Sequence, residues 1–244
     1  MFRKIFIIAA ISVFIFGGLF YFSARRDSEE MVGKEVKAGQ PIVNWQKIMI
    51  TEKEQNISIN MTVPRVIIYS SDGLGNKVNK AITGYIELLR DDFIFSVGTA
   101  AYDNGETSTL NVDTEALLIT PRLISLSFTV AEHLAGIEKD DDPQQTFLIF
   151  DLTNSAMLKE GNELFRDDIA WSRAVKMMKN YLLADYQGDP SCDLLFAPKY
   201  NGFAASCLGV DWSRGGKRLS ITGNISISMI QEFLAPSILS DVIQ

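Results

Sequence analysis

FIFSVGTAAY (Phe93–Tyr102), STLNVDTEALLIT (Ser108–Thr120), LISLSFTVAEHL (Leu123–Leu134) and TFLIFDL (Thr146–Leu152) are four runs rich in β-branched and aromatic residues. DNGE and EKDDDPQQ interrupt them with turn chemistry. Read together, they predict a meander of antiparallel strands. Upstream, Trp45 to Tyr69 alternates apolar and polar residues at Ile57, Ile59, Met61 and Val63, then becomes continuously apolar at Val66, Ile67 and Ile68. That pattern predicts two more strands. SSDGLGN then reads as a turn leading into a helix, NKVNKAITGYIELLRDD, whose Val78, Ile82, Ile86 and Leu89 share one face. Asp167 or Asp168 can cap a second helix, with Ile169, Val175, Met178 and Leu182 facing the core before GDP stops it. A hairpin, one further strand and a short helix through MIQEFL complete the chain. Strands grouped apart from helices give an α+β class, with an antiparallel sheet packed by two or three helices.

The first residues obey other rules. Ile5 to Phe22 (IFIIAAISVFIFGGLFYF) contains no charged residue. At about 1.5 Å per residue the run extends roughly 27 Å, close to the ~30 Å hydrocarbon core of a bilayer. A cleaved signal peptide would need a small-x-small exit, but a cut after Ala24 puts the bulky Phe22 three positions back. The run therefore reads as an uncleaved signal anchor over 5–24, after a cytoplasmic stub over 1–4. A charged linker over 25–44 follows, and the folded domain spans 45–244. Arg25, Arg26, Lys34 and Lys37 flank the run on the domain side, against Arg3 and Lys4 before it. That count alone points the domain inward. The cysteines and the resemblance described below point it out of the cytoplasm.

Cys192 and Cys207 enclose CDLLFAPKYNGFAASC. Direct pairing across a hairpin sets Cys192 opposite Cys207, with PKYN as a four-residue loop. A competing register centred on Asn201-Gly202 opposes Phe196 to Cys207 and leaves the thiols apart. Two buried free cysteines acting as small hydrophobes are the alternative to a disulfide. A disulfide implies an oxidising compartment.

Charge bounds the partners. The chain carries 23 Lys and Arg against 30 Asp and Glu; without the four basic residues of the first 26 positions the balance is 19 to 30, a net charge of −11. No basic patch is interleaved with aromatics, so nucleic acid is not an expected partner. An acidic field attracts cationic partners.

Motifs for chemistry are scarce. One histidine, His133, excludes H-E-x-x-H, and no zinc site is expected from two cysteines at this spacing. No G-x-S-x-G or S-x-x-K is present, so no enzyme type is recognised and no cofactor or metal is expected. Gly73-Leu74-Gly75 lacks the third glycine of a dinucleotide loop. Carboxylates cluster at Asp91-Asp92, Asp167-Asp168 and Asp140-Asp141-Asp142. The triplet lacks calcium-loop spacing and reads as a solvated turn that could meet a cationic ligand. With His133 it forms the candidate binding set. Asn56, Asn60 and Asn224 fit N-x-[ST], which matters only in a host that glycosylates.

The order of segments resembles the extracytoplasmic domain shared by the anti-sigma factor RsiV and the peptidoglycan deacetylase PdaC, over roughly residues 45 to 240. The pieces are PRVIIY followed by an asparagine-bearing helix, LISLSFTVAEHLAGIEK, TFLIFDLTNSAMLKEGNELF and ISISMIQEFL. In the third, Phe150-Asp151-Leu152 ends a strand before a tight turn, and Leu158 and Leu164-Phe165 anchor the next helix. Asn154-Ser155 stands where the family usually has Gly-Lys, and Asn tolerates the left-handed conformation the turn needs. His133 precedes the position of the family's Gly-Ala-His segment, which departs from its loop. Four residues before the anchor leave no room for a sigma-binding domain, and no deacetylase domain follows. The resemblance thus implies a binding or sensor module alone, for cell-wall glycan or a cationic wall-active protein such as lysozyme. A structural accessory of an envelope complex is the alternative.

Overall fold

The computed structural model describes residues 41–243, apart from 53–55, 70–71, 100–105, 137–142, 159–160, 189 and 215–216. The expected stub, the anchor and residues 25–40 of the expected linker lie outside them. Among the described residues no helix is long and apolar enough to span a membrane.

The class is α+β, as the segment pattern predicts, but with two sheets instead of one. Strands β1 (Ile42–Glu52), β2 (Ile57–Ile67), β3 (Ser108–Ile119), β4 (Leu123–His133), β5 (Gln144–Asp151) and β6 (Ala156–Leu158) form a six-stranded sheet in that order. β7 (Pro190–Lys199), β8 (Gly202–Asp211) and β9 (Lys217–Ser226) form a separate three-stranded sheet. β1 starts inside the stretch that reads as linker.

One pairing breaks the expected meander: β2 and β3 are parallel. Helix α1 (Asp72–Thr99) causes it. Parallel neighbours need a crossover between them, usually helical, and α1 supplies it by running through FIFSVGT, which the sequence reads as a strand. The helical face continues past Leu89 to Phe93 (0 % exposed) and Val97, while Phe95 (72 %) takes the solvent side. At 3.6 residues per turn this spacing is helical; three consecutive β-formers obscure it. The helix also starts at Asp72, inside the expected turn. Gly75 lies against the end of β2, where a Cβ would sit 3.5 Å from the Val66 carbonyl.

α1 covers one face of the large sheet. Val78, Ile82, Ile86 and Phe93 pack on Ile57, Ile59, Met61, Leu110, Val112, Leu126 and Phe128. Asn79, the asparagine of that helix, reaches β2 beyond its pairing with β3, which ends at Met61. Its Oδ1 accepts from Val66 N and its Nδ2 donates to Val66 O, each at 2.8 Å. A side-chain amide thus replaces the missing strand. Tyr85, on the same helix, meets the Thr146 hydroxyl of β5 and stacks edge-on to Phe128.

The three-stranded sheet packs on part of the other face. Helix α2 (Asp168–Leu182) lies behind it, followed by the short helices α3 (Ile227–Ile230) and α4 (Pro236–Val242). Asp167 caps α2 by accepting from Ala170 N at 2.7 Å. Ala170, Ala174 and Met178 form its buried stripe, with Val175 and Leu182 at the margin. Ile169, expected in the core, is 68 % exposed because Ala170 takes the inward position. The turn after Asp151 forms as the sequence predicts, through other residues. Asp151 accepts from Thr153 N, Asn154 N and Asn154 Nδ2, and Ser155 adopts the positive φ of 53°. Asn154 gives the turn its backbone N–H and its side-chain amide, while Ser155 takes the left-handed conformation.

Candidate functional site

Strand alternation gives the large sheet two unlike faces. Opposite α1 stand Lys47 and Met49 of β1, Asn60 and Thr62 of β2, Asn111, Asp113 and Glu115 of β3, and Thr129 and His133 of β4, each partly or fully exposed. The registers align them in rows. Met49 opposes Asn60, which neighbours Asn111; Asp113 opposes Thr129, which opposes Gln145; Thr109 opposes His133. No described element covers these rows.

Farther along the same face, Leu117, Leu123, Phe147 and Ile149 become apolar and meet the three-stranded sheet. Where that cover begins there is a cleft of about 580 Å³, lined by Glu115, Gln145, Lys199, Tyr200, Thr222 and Asn224 among others. A smaller hollow of about 310 Å³ shares Gln145 and Thr222 with it and adds Thr129, Pro143 and Ser220. The two form one trench between the sheets. Its far wall is β9, where Ser220, Thr222 and Asn224 alternate with Leu219, Ile221, Gly223 and Ile225. Hydrogen bonds order the walls. Lys199 Nζ donates to Asn224 Oδ1 at 2.6 Å, Gln145 Nε2 to Ser127 Oγ at 2.8 Å, Ser220 Oγ to the Pro143 carbonyl at 3.0 Å and the Tyr200 hydroxyl to the Ile119 carbonyl at 3.1 Å. Tyr200, 44 % exposed, stands at the rim. Hydroxyls, amides, a carboxylate and an ammonium directed into one open trench suit a ligand dense in donors and acceptors.

No family model matches the sequence, and no curated protein matches it. A solved structure of a DUF3298-family protein from Bacteroides fragilis aligns over 85% of this chain and 99% of its own, with a TM-score of 0.54 at 14% identity. This chain has a DUF3298-like fold. A DUF3298 protein of Pseudomonas aeruginosa PAO1 aligns over 81% of this chain and 95% of its own, with a TM-score of 0.44 at 12% identity. DUF3298 is the domain shared by RsiV and PdaC. The sequence resemblance and the structure therefore meet at the level of fold.

Within the DUF3298-like fold, His133 ends β4 on the open face, opposite Thr109, in line with the rows that lead to the trench. The chain turns after it: Ala135 N donates to Ser108 Oγ at 3.0 Å and Gly136 takes a φ of 74°. Asp140, Asp141 and Asp142 lie outside the described residues, but Pro143, which follows them, lines the smaller hollow. His133 and Pro143 lie on the same face of the large sheet. Among the described residues no group of three or more His, Cys, Asp or Glu side chains is arranged to hold a metal.

Cys192 and Cys207 are joined, with Cα atoms 5.4 Å apart, inside the range a disulfide requires. Both expected registers are wrong. Cys192 opposes Gly209, Leu194 opposes Cys207 and Lys199 opposes Gly202, so the turn is Tyr200-Asn201 with Asn201 at a φ of 61°. The bond crosses the strands diagonally, a spacing that such neighbours can bridge. Gly209 decides this register. A Cβ there would stand 2.0 Å from the Ser191 carbonyl and 2.8 Å from Cys192 Cβ, so only glycine fits beneath the bridge. The cysteines pack with Leu219, Leu182 and Tyr186, on the α2 side of the sheet and away from the trench. The bond ties β7 to β8. As site residues the sequence reading misses Glu115, Gln145, Lys199, Tyr200 and Thr222, and it singles out Asn224 only as an N-x-[ST] position. The alternation S-I-T-G-N-I in β9 was the available signal, since it gives a strand one polar face.

Proposed function

We propose that this chain is a membrane-anchored binding or sensor module outside the cytoplasm, whose trench and open sheet face take a cell-wall glycan. The trench carries the proposal: an elongated polar channel whose side chains both donate and accept, with an aromatic residue at its rim. Sugars present the same mixture along a chain, with C–H faces for aromatic contact. The uncharged run Ile5 to Phe22 supports the anchor, and the Cys192 to Cys207 bond supports an oxidising compartment.

The test uses the full chain in detergent micelles, titrated separately with N-acetylglucosamine oligomers and with lysozyme. Saturable glycan binding that weakens in Thr222→Val and Asn224→Leu, but not in Lys176→Ala on α2, is the expected result. Lysozyme binding untouched by the trench substitutions would move the function to the acidic surface. Binding of neither would leave an envelope accessory. Protease treatment of cells from outside should remove the domain while the anchor stays in the membrane.

A further inference from the structure

Polarity is divided between the two walls of the trench, and the division narrows the kind of sugar it fits. On the β7–β9 wall donors predominate. Lys199 gives one proton to Asn224 Oδ1 at 2.6 Å and keeps two. Because that contact occupies the Asn224 carbonyl, its amide nitrogen remains to donate. Thr222 adds a hydroxyl next to them. On the large-sheet wall acceptors predominate. Glu115 is acceptor-only when ionised, and Gln145 gives one N–H to Ser127 Oγ at 2.8 Å and keeps its carbonyl and its second N–H. Tyr200 closes the rim, fixed by its bond to the Ile119 carbonyl.

The cation is the informative member. The domain is acidic, yet the described partner of Lys199 is the neutral Asn224; the described ion pairs, Arg90 with Asp91 and Arg122 with Asp241, lie elsewhere. An ammonium held by a neutral amide beside spare donors is an anion subsite, because a charge-assisted bond gains more than a neutral one and the amide does not neutralise it. The opposite wall repels anions and accepts hydroxyl and amide protons. A neutral oligosaccharide leaves the Lys199 corner unmatched, and a polyanion meets Glu115.

We infer that the trench selects a sugar residue bearing one carboxylate, which lies against Lys199, Asn224 and Thr222 while its hydroxyl or amide protons face Glu115 and Gln145. This rests on the glycan reading above and specifies its ligand. The carboxylate-bearing amino sugars of cell-wall glycan belong to this class.

The experiment is calorimetric titration of the full chain in detergent micelles with three probes: N-acetylglucosaminyl-N-acetylmuramic acid, the same disaccharide as its methyl ester, and N,N′-diacetylchitobiose. The free acid should bind about tenfold tighter than either neutral probe, the scale of a charge-assisted contact at a partly open site. Lys199→Met should erase the preference and keep the weaker neutral binding. Lys199→Arg should retain it. Raising salt should narrow the gap, since exposed charges are screened within about 8 Å at physiological ionic strength. Equal binding of the three probes by the natural chain would overturn the subsite and leave the glycan reading standing. Binding of none would overturn both. If the Lys199 variants fail to fold, the comparison of acid and ester on the natural chain still decides.

Discussion

On the α1 side of the six-stranded sheet Met61, Leu110, Leu126 and Phe128 are at most 2 % exposed, while on the other side of the same strands Asn111, Asp113 and Glu115 stand in solvent. The two faces differ in what covers them. A helix of 28 residues crosses the first, and its stripe from Val78 to Val97 asks for apolar side chains along the whole crossing. Three strands of ten residues cover only part of the second. That cover is imperfect even where it is complete: Ser125 of β4 and Ser206 of β8 are buried with no hydrogen-bond partner. The lesson concerns placement. A strand buried on both faces serves the core, whereas strands that run out from under their cover leave a polar seam, and this seam is the trench.

The largest effect expected is on the covered face. Phe128→Ala, at a position with no exposure, should cost about 3–5 kcal/mol in denaturant unfolding by leaving a cavity under α1. A loss below about 1 kcal/mol would mean that the α1 face is no better packed than the other. Reducing the bond between Cys192 and Cys207, which are 15 residues apart, should cost about 3 kcal/mol by the loop-entropy estimate and lower Tm by several degrees. An unchanged Tm would show that α2 and the core hold the trench wall without the cross-link. Ser125→Ala should be neutral or raise stability by up to about 1 kcal/mol, because it removes a buried hydroxyl with no partner. Destabilisation of more than that amount would reveal a partner, such as an internal water, between the sheets.

The smallest effect is a pH slope. Burial raises the pKa of Asp241 on α4 above its ordinary 3.8, with Arg122 opposing and Asp151 adding to the rise. Between 3.8 and the raised value the folded chain binds more protons at this site than the unfolded one. Stability therefore falls as pH rises through that window. Asp241→Asn should flatten this fall, measured as unfolding midpoints across acidic pH. An identical slope in the variant would assign the titration elsewhere.

The sequence made the buried half of this architecture legible and left the site obscure, for one physical reason. Burial imposes periodicity: Ile57, Ile59 and Met61 mark β2, and Val78, Ile82 and Ile86 mark α1, because each must face the core. FIFSVGT misleads because its residue types favour strands while their spacing continues a helical stripe. Once it is read as strand, the crossover between β2 and β3 is lost and the parallel pair with it. The hairpin register depended on room beneath a disulfide at Gly209, a contact between strands that composition does not announce. The trench was less visible still. Glu115 from β3, Gln145 from β5, Lys199 from β7 and Asn224 from β9 are ordinary surface residues along the chain and become a site only when two sheets meet. His133, singled out for its chemistry, lies on the same face.

The pair of hydrogen bonds between Asn79 and Val66 also bears on the order in which the molecule assembles. It spans 13 residues, whereas the parallel ladder that stops at Met61 must bring Ile57 to Ser108. Closing a short loop costs less entropy than closing a long one, and local contacts favour rapid folding. The β1–β2 hairpin and the start of α1 can therefore settle into register before β3 arrives, with the amide holding the helix against one residue of the strand. A slip by a single position would break both bonds at once. Asn79 thus acts as an alignment pin, tying the start of the helix to a single residue of the strand.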